Sequence, residues 1–387
     1  MKQRTILVVL LAAALACVAV VHVWPKFDQR VVWTPDSLYY EAKLLEIRGV
    51  DHDAAMRRVF RGPLSAELRA RDPQKTGNPR WVKYNEPFYD RRVAVPLAGA
   101  AIEPVAGERS LLDLSLAGYV ATIVALFGLL LLRFRIAIAA AVTFATIFLP
   151  PLVNHSSFPL TDSWGLALQI CAFAAALLTL DRGLRWLPLW IGAIVLLSFT
   201  RDSTWIPVIA AGVCAIRYRT RIPVSLFATG FLAALPALIA FKTPVRDLLA
   251  LLVNHSQPPA DPSWSFIVRH YPGALWELVR ANVGFLRRGE WYTAFYFVGG
   301  FIALFALVRR RRTLGIASTF MASAAVLGVL YVLAAPVFSA FRLELVVVPA
   351  VAYGLALVAD AVAARAAERS PAVDRLWNRA ARYSTHG

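Results

Sequence analysis

Acidic residues are scarce in this sequence, 24 against 41 lysines and arginines, which leaves a formal charge of +17. The arginines lie between long apolar runs rather than on a continuous polar surface, so no nucleic-acid partner is expected. Cysteine is nearly absent as well. Cys17, Cys171 and Cys214 all fall inside apolar segments, and no disulfide framework can be drawn from them. No phosphate-cradling Gly-rich loop, HExxH pair or nucleophile elbow occurs, so soluble nucleotide-sugar chemistry finds no support. Two histidines, His155 and His255, stand in near-identical Leu-Val-Asn-His-Ser stretches without cysteines or regularly spaced acids beside them. No cofactor is implied, and a divalent metal is unsupported.

Apolar residues are what this chain has in abundance: 58% of positions and a mean hydropathy of +0.58. The fold class that follows is an all-α polytopic membrane protein. Runs near 20 apolar residues predict ten transmembrane helices at 5–24, 112–132, 136–153, 163–180, 186–200, 203–216, 222–241, 291–308, 314–335 and 343–364. Alternate connections carry Arg133 and Arg135, then Arg182 and Arg185, then Arg217, Arg219 and Arg221, then Arg309 to Arg312, and the tail 365–387 is basic too. The positive-inside rule puts these connections and both termini on the cytoplasmic side, and a bacterial inner membrane is the expected location. Residues 1–364 then form a single transmembrane domain. Cys17 faintly resembles a lipoprotein cleavage position, but the apolar run continues to Trp24, as in an uncleaved first span. Residues 186–216 as one helix would reach about 46 Å, too long for a membrane core, so a break at Arg201-Asp202 is expected.

Two long segments, 25–111 and 242–290, are left on the extracytoplasmic side. In the first, Thr34-Pro35-Asp36-Ser37 predicts the start of an amphipathic surface helix, with Thr34 as N-cap and Pro35 at its first position. A second amphipathic piece runs from Asp53 to Phe60, with Arg57, Arg58 and Arg61 on its polar side. Asp36 in a first helical turn serves capping equally well as chemistry. Asp162 and Trp164 at the head of the fourth span suit a helix cap with an interfacial tryptophan, or a sugar contact. Arg201 and Arg342 lie on the side that disfavours lone cations. Each needs an ion-pair partner (Asp202 and Glu344 are the nearest acids) or an anionic ligand such as a lipid phosphate. Arg91 and Arg92 suit either interfacial anchoring or a headgroup contact.

The stretches Asp36-Ser-Leu-Tyr-Tyr40-Glu-Ala42, Arg91-Arg92-Val-Ala-Val-Pro96-Leu, Leu160-Thr-Asp162-Ser-Trp164 and Phe199-Thr-Arg201-Asp202, set on this architecture, resemble the GT-C superfamily of membrane glycosyltransferases. The resemblance covers roughly residues 1–240. It implies an enzyme that moves a sugar from a polyprenyl-phosphate carrier to a glycan, lipid or protein acceptor on the extracytoplasmic face. The position matching the family's catalytic base is Asp36, although many members carry two adjacent acids where this chain has Asp36-Ser37. Tyr40, Asp162 and Trp164 would then position sugar, while Arg91, Arg92, Arg201 with its neighbour Asp202, and Arg342 would face the phosphate. Two readings from other classes are a transporter or flippase of a lipid-linked saccharide, and a non-catalytic membrane scaffold. A transporter would carry ionisable groups near mid-membrane, whereas here they gather toward one face.

Overall fold

The computed structural model describes residues 2–27, 31–241, 244–309, 315–337, 339 and 341–369. The predicted basic tail beyond 369 and the arginines 310–312 lie outside the described residues. Among the described residues every regular element is helical. The first apolar run forms α1 (Lys2–Phe27), and a cluster of short helices follows: α2 (Pro35–Ile47), α3 (His52–Arg61), α4 (Ala66–Arg71) and α5 (Pro79–Asn85). The chain then enters α6 (Ala94–Ala106), α7 (Ser110–Leu131), α8 (Ile136–Ile147), α9 (Pro150–Ser156) and α10 (Asp162–Arg182). Next come α11 (Leu187–Ser198), α12 (Trp205–Tyr218), α13 (Arg221–Ala240), α14 (Val245–Val253) and α15 (Trp264–Arg287). The last helices are α16 (Trp291–Ala294), joined by a π-helical turn to α17 (Gly300–Arg309), then α18 (Gly315–Ala334) and α19 (Val348–Arg369).

Among the described residues, seven helical stretches are long and apolar enough to cross a membrane, eight if the bent pair α8–α9 is one crossing. The chain is therefore a multi-pass membrane protein, but the predicted ten spans are not matched by helix length. α11 and α12 hold 12 and 14 residues, about 18 and 21 Å, against roughly 30 Å of hydrocarbon. α8 and α9 meet at 60° where Leu149 precedes Pro150-Pro151, because the residue before a proline is driven out of the α region. The segment read as loop up to residue 111 also turns helical and apolar earlier, at Ala94, and runs on to Leu131 with a 3-10 turn at Gly107–Arg109. The predicted break in 186–216 is present: a β-region Arg201 and a 3-10 turn, Asp202–Thr204, separate α11 from α12.

Side-chain pairs sort the helix ends. Arg109, just before α7, donates to the Phe27 carbonyl at the end of α1. At the far end of the bundle Arg133, past α7, pairs with Asp181 of α10, Arg135 meets Asp360 of α19 at 3.8 Å, and Tyr218 of α12 meets Thr319 of α18 at 2.8 Å. Arg133, Arg135, Arg182 and Arg217 thus share one end of the bundle, and the heads of α7, α10, α12 and α19 share the other. Small residues let the helices approach, as expected where apolar surface alone gives no driving force in lipid. At Gly118 of α7 an added Cβ would fall 2.9 Å from the Trp164 backbone nitrogen of α10. Trp190, fully buried, donates to the Leu226 carbonyl at 2.9 Å and packs on Gly230 of α13.

α2 begins as the sequence predicted. Thr34 and Ser37 form a reciprocal capping box with Pro35 at the first position. Its buried face carries Tyr39, which packs on Phe60 of α3 and Trp81 of α5 and stacks on Tyr89 at 4.4 Å between centroids. Such aromatic pairs add about 0.5–1.5 kcal/mol each beyond area burial. On the same helix, burial together with Glu103 and Glu108, against the opposing pull of Arg58 and Arg48, pushes the Glu41 carboxyl up to about 7. The folded state thus holds this proton more tightly than the unfolded chain. Stability from Glu41 is full below its ordinary value and falls as pH rises toward 7. Thermal unfolding midpoints are expected to drop between about pH 5 and 7, and Glu41→Gln is expected to flatten that slope.

Candidate functional site

Helix starts and breaks bring acids and arginines that are distant in sequence to one place. Asp36 lies in the first turn of α2, and Asp162 opens α10. Arg201-Asp202 occupies the break before α12, Arg91-Arg92 lies just before α6, and Arg342 precedes the 3-10 turn leading into α19. Asp162, with its side chain 2% exposed, is gripped by two arginines. Arg342 donates Nε and Nη2 to its two oxygens at 2.9 Å each, and Arg201 lies 3.0 Å away. The same Arg342 donates through Nη1 to Asp36. Arg91 and Arg92 both pair with Asp202, Arg92 at 2.6 Å. Three carboxylates therefore share four guanidiniums, which leaves the cluster one positive charge in surplus.

These pairings correct the sequence-adjacent ones. Arg201 turns to Asp162 rather than Asp202, and Arg342 to Asp162 and Asp36 rather than Glu344. The break before α12 points successive side chains apart, so neighbours along the chain do not face each other.

Asp36, 24% exposed along its side chain, also accepts the Tyr89 hydroxyl at 2.6 Å. Burial would raise its carboxyl, but Arg342, Tyr89 and Arg92 together outweigh it and hold the group below its ordinary value. Asp36 is thus ionised at neutral pH. Tyr89 is driven the other way, its phenol raised by burial and by the Asp36 charge, so it remains a donor.

A cavity of about 390 Å³ opens on this cluster. Asp36, Tyr89, Arg92, Arg201, Asp202 and Arg342 line it together with Leu248, Leu249, Leu251 and Leu252 of α14, Ala334 and Val337. Its lining is thus part charged and part apolar. Of the residues singled out in the sequence, Asp36, Arg92, Arg201, Asp202 and Arg342 line this cavity. Arg91 and Asp162 sit behind it. Tyr40 and Trp164 do not reach it: the Tyr40 hydroxyl is buried against Arg92 at 2.9 Å and Thr161 at 3.3 Å, and the Trp164 indole donates to the Leu114 carbonyl at 2.7 Å. Both rings are spent on packing α2 against α6, α7 and α10, which corrects their expected place on a sugar face. His155 and His255 are not among the cavity-lining residues either. His255 lies 3.2 Å from Glu277 on the exposed side of α15.

Three features escaped sequence reasoning. Tyr89 was present in an aromatic segment but carried no signal of its Asp36 contact. α14 reads as a plain apolar stretch, yet it walls the cavity. Phe341 adopts φ +64°, a left-handed conformation that strains a non-glycine residue by about 1–3 kcal/mol. It is held there, 1% exposed, between Phe285, Tyr292 and Tyr296, and that turn aims Arg342 at the acids. Gly165 is the matching device on α10, since a Cβ there would fall on the Arg201 side chain. Gly165→Ala is expected to displace Arg201 from the buried Asp162 and to lower the melting temperature, which a thermal unfolding curve checks.

No protein-family model and no curated protein matches this chain.

Proposed function

We propose that the chain is a glycosyltransferase of the GT-C type. It would take a sugar from a polyprenyl-phosphate carrier on the extracytoplasmic face of a bacterial inner membrane. The observation that carries this reading is the mixed lining of the cavity: surplus guanidinium together with the leucines of α14 suits a ligand that is phosphate at its head and hydrocarbon in its tail. The charge pattern supports the orientation, because Arg133, Arg135, Arg182 and Arg217 lie at the end opposite the site, as the positive-inside rule requires of a cytoplasmic face. Ten passes with both termini cytoplasmic follow if α11 and α12 each cross a thinned or watered part of the membrane and the α8–α9 pair counts as one.

In this reading Asp36 accepts the proton of the acceptor hydroxyl as its oxygen attacks the anomeric carbon, and the carbon–oxygen bond to the phosphate breaks. Arg201 and Arg342 take the charge that grows on the departing phosphate, with Arg92 and Arg91 held ready by Asp202. Tyr89 orients the Asp36 carboxylate. Asp162 positions both arginines rather than touching sugar. Arg342 also links the two halves of the reaction. In the free protein it neutralises Asp36, and as it turns toward a phosphate it releases that carboxylate, whose proton affinity then rises because burial is no longer opposed.

A reconstituted assay with a polyprenyl-phosphate sugar tests this. Release of free polyprenyl phosphate together with a glycosylated acceptor is the expected result. Intact donor appearing on the opposite leaflet, with no release, would establish transport instead.

A further inference from the structure

A second cavity, about 500 Å³, lies in the cluster of short helices and has no part in the chemistry above. Four cations line it: Arg57 and Arg61 from α3, Arg69 from α4 and Lys83 from α5. Facing them are two carboxylates, Asp53 and Glu86, and the latter is already engaged by His52 at 2.8 Å. Met56 and Phe60 supply an apolar floor. Arg69 is fixed, donating to the carbonyls of Phe60 at 2.7 Å and Gly62 at 3.0 Å, and it braces the turn between α3 and α4. Arg57, Arg61 and Lys83 are exposed and converge from two different helices, and among the described residues no ion pair within 4.0 Å holds any of the three. Like charges brought together at this density repel unless something neutralises them.

The two cavities stand back to back across one helical wall. Val82, Lys83 and Glu86 of the α5 region face this one, while Trp81, Asn85, Phe88 and Tyr89 face the cavity at Asp36. Two hydrogen bonds tie this wall to its neighbours: Tyr39 donates to the Val82 carbonyl at 2.9 Å, and Trp81 to the Ser256 carbonyl beyond α14 at 2.9 Å. A ligand in one cavity therefore cannot reach the reacting groups of the other.

We propose that this basic cleft is a second binding site, for a phosphate group carried on a saccharide or a lipid head, read by Arg57, Arg61 and Lys83. Guanidiniums bind phosphate oxygens in pairs, and Lys83 adds a point charge from the opposite wall. The inference stands apart from the transfer reading and survives if that reading fails.

The test uses the purified full-length protein in neutral detergent, titrated with glucose 1-phosphate and, separately, glucose. Saturable, salt-sensitive binding of the phosphate ester alone is expected. Arg57→Gln with Arg61→Gln should weaken it at least about tenfold, and Lys83→Gln alone about threefold or more. All three side chains are exposed, so the fold should be unaffected, and an unchanged melting temperature checks that. Equal binding of glucose and glucose 1-phosphate would overturn the proposal. So would undiminished binding in the double variant, which would assign the phosphate to the arginines around Asp36. In nanodiscs, displacement of glucose 1-phosphate by phosphatidylglycerol but not phosphatidylcholine identifies a lipid head as the source. Binding unaltered by either lipid identifies a soluble phosphosaccharide.

Discussion

Asp36→Asn is expected to abolish the proposed sugar transfer, lowering turnover by about 10²–10⁴-fold, the usual contribution of a positioned general base. The substitution keeps the shape of the side chain and its place in the first turn of α2. Tyr89 meets one carboxylate oxygen and Arg342 the other, so the amide keeps an acceptor for one of these two donors. Donor binding should change little, because Arg201, Arg342 and Arg92 are all retained. The diagnostic pattern is therefore a fall in kcat with KM for the lipid donor held within a few-fold. Full transfer activity in Asp36→Asn at normal expression would remove Asp36 from the chemistry.

Arg342→Gln should be as damaging, for two separable reasons. Arg342 binds Asp162 through two nitrogens and Asp36 through a third, so its loss strips a counter-charge from Asp162, whose side chain is only 2% exposed. Breaking one partner of a buried pair destabilises by about 3–5 kcal/mol, which a melting curve will register. It also removes a donor to the developing phosphate charge, with an expected loss of about 10²–10³ in turnover. Arg342→Lys should rescue stability in part but little activity, since an ammonium cannot reproduce the forked geometry.

The pH profile separates the roles. Wild-type Asp36 has a lowered pKa, so its ionised form and its contribution to stability are both present above the ordinary value of 3.8 and are lost only as pH falls below it. No acid limb from Asp36 is expected in the wild-type rate profile near neutrality. In Arg342→Gln, burial acts on Asp36 with less opposition and raises its pKa. An acid limb should then appear at higher pH, in whatever activity survives. An unshifted profile would mean that Arg342 does not set the state of Asp36.

The sequence made Asp162, Arg201, Asp202 and Arg342 visible because they interrupt or flank apolar runs, where an unsolvated charge is expensive. Asp36 was marked by the helix-start motif around it, and Arg91 and Arg92 by the stretch Arg91–Leu97. Their pairing was not visible. Arg342 meets Asp36 from 306 residues away, and proximity in sequence favoured Glu344 instead. Tyr40 and Trp164 misled for a different reason: an aromatic at a helix head suits a sugar face and an interhelical joint equally, and only packing decides. The helix break at Arg201-Asp202 was legible because a single 31-residue helix would overrun the membrane. The lengths of α11 and α12 were not, since hydropathy alone does not show where a helix stops.

The account rests on the cavity between the Asp36–Arg342 cluster and α14 taking a phosphate-headed isoprenoid. Native mass spectrometry of the protein extracted from its own membrane tests this most directly. A polyprenyl phosphate or its glycosylated form is expected on the wild type and is expected to be lost in an Arg201→Gln, Arg342→Gln double variant. Wild-type protein carrying only bulk phospholipid, with the same lipids on the double variant, would contradict the account.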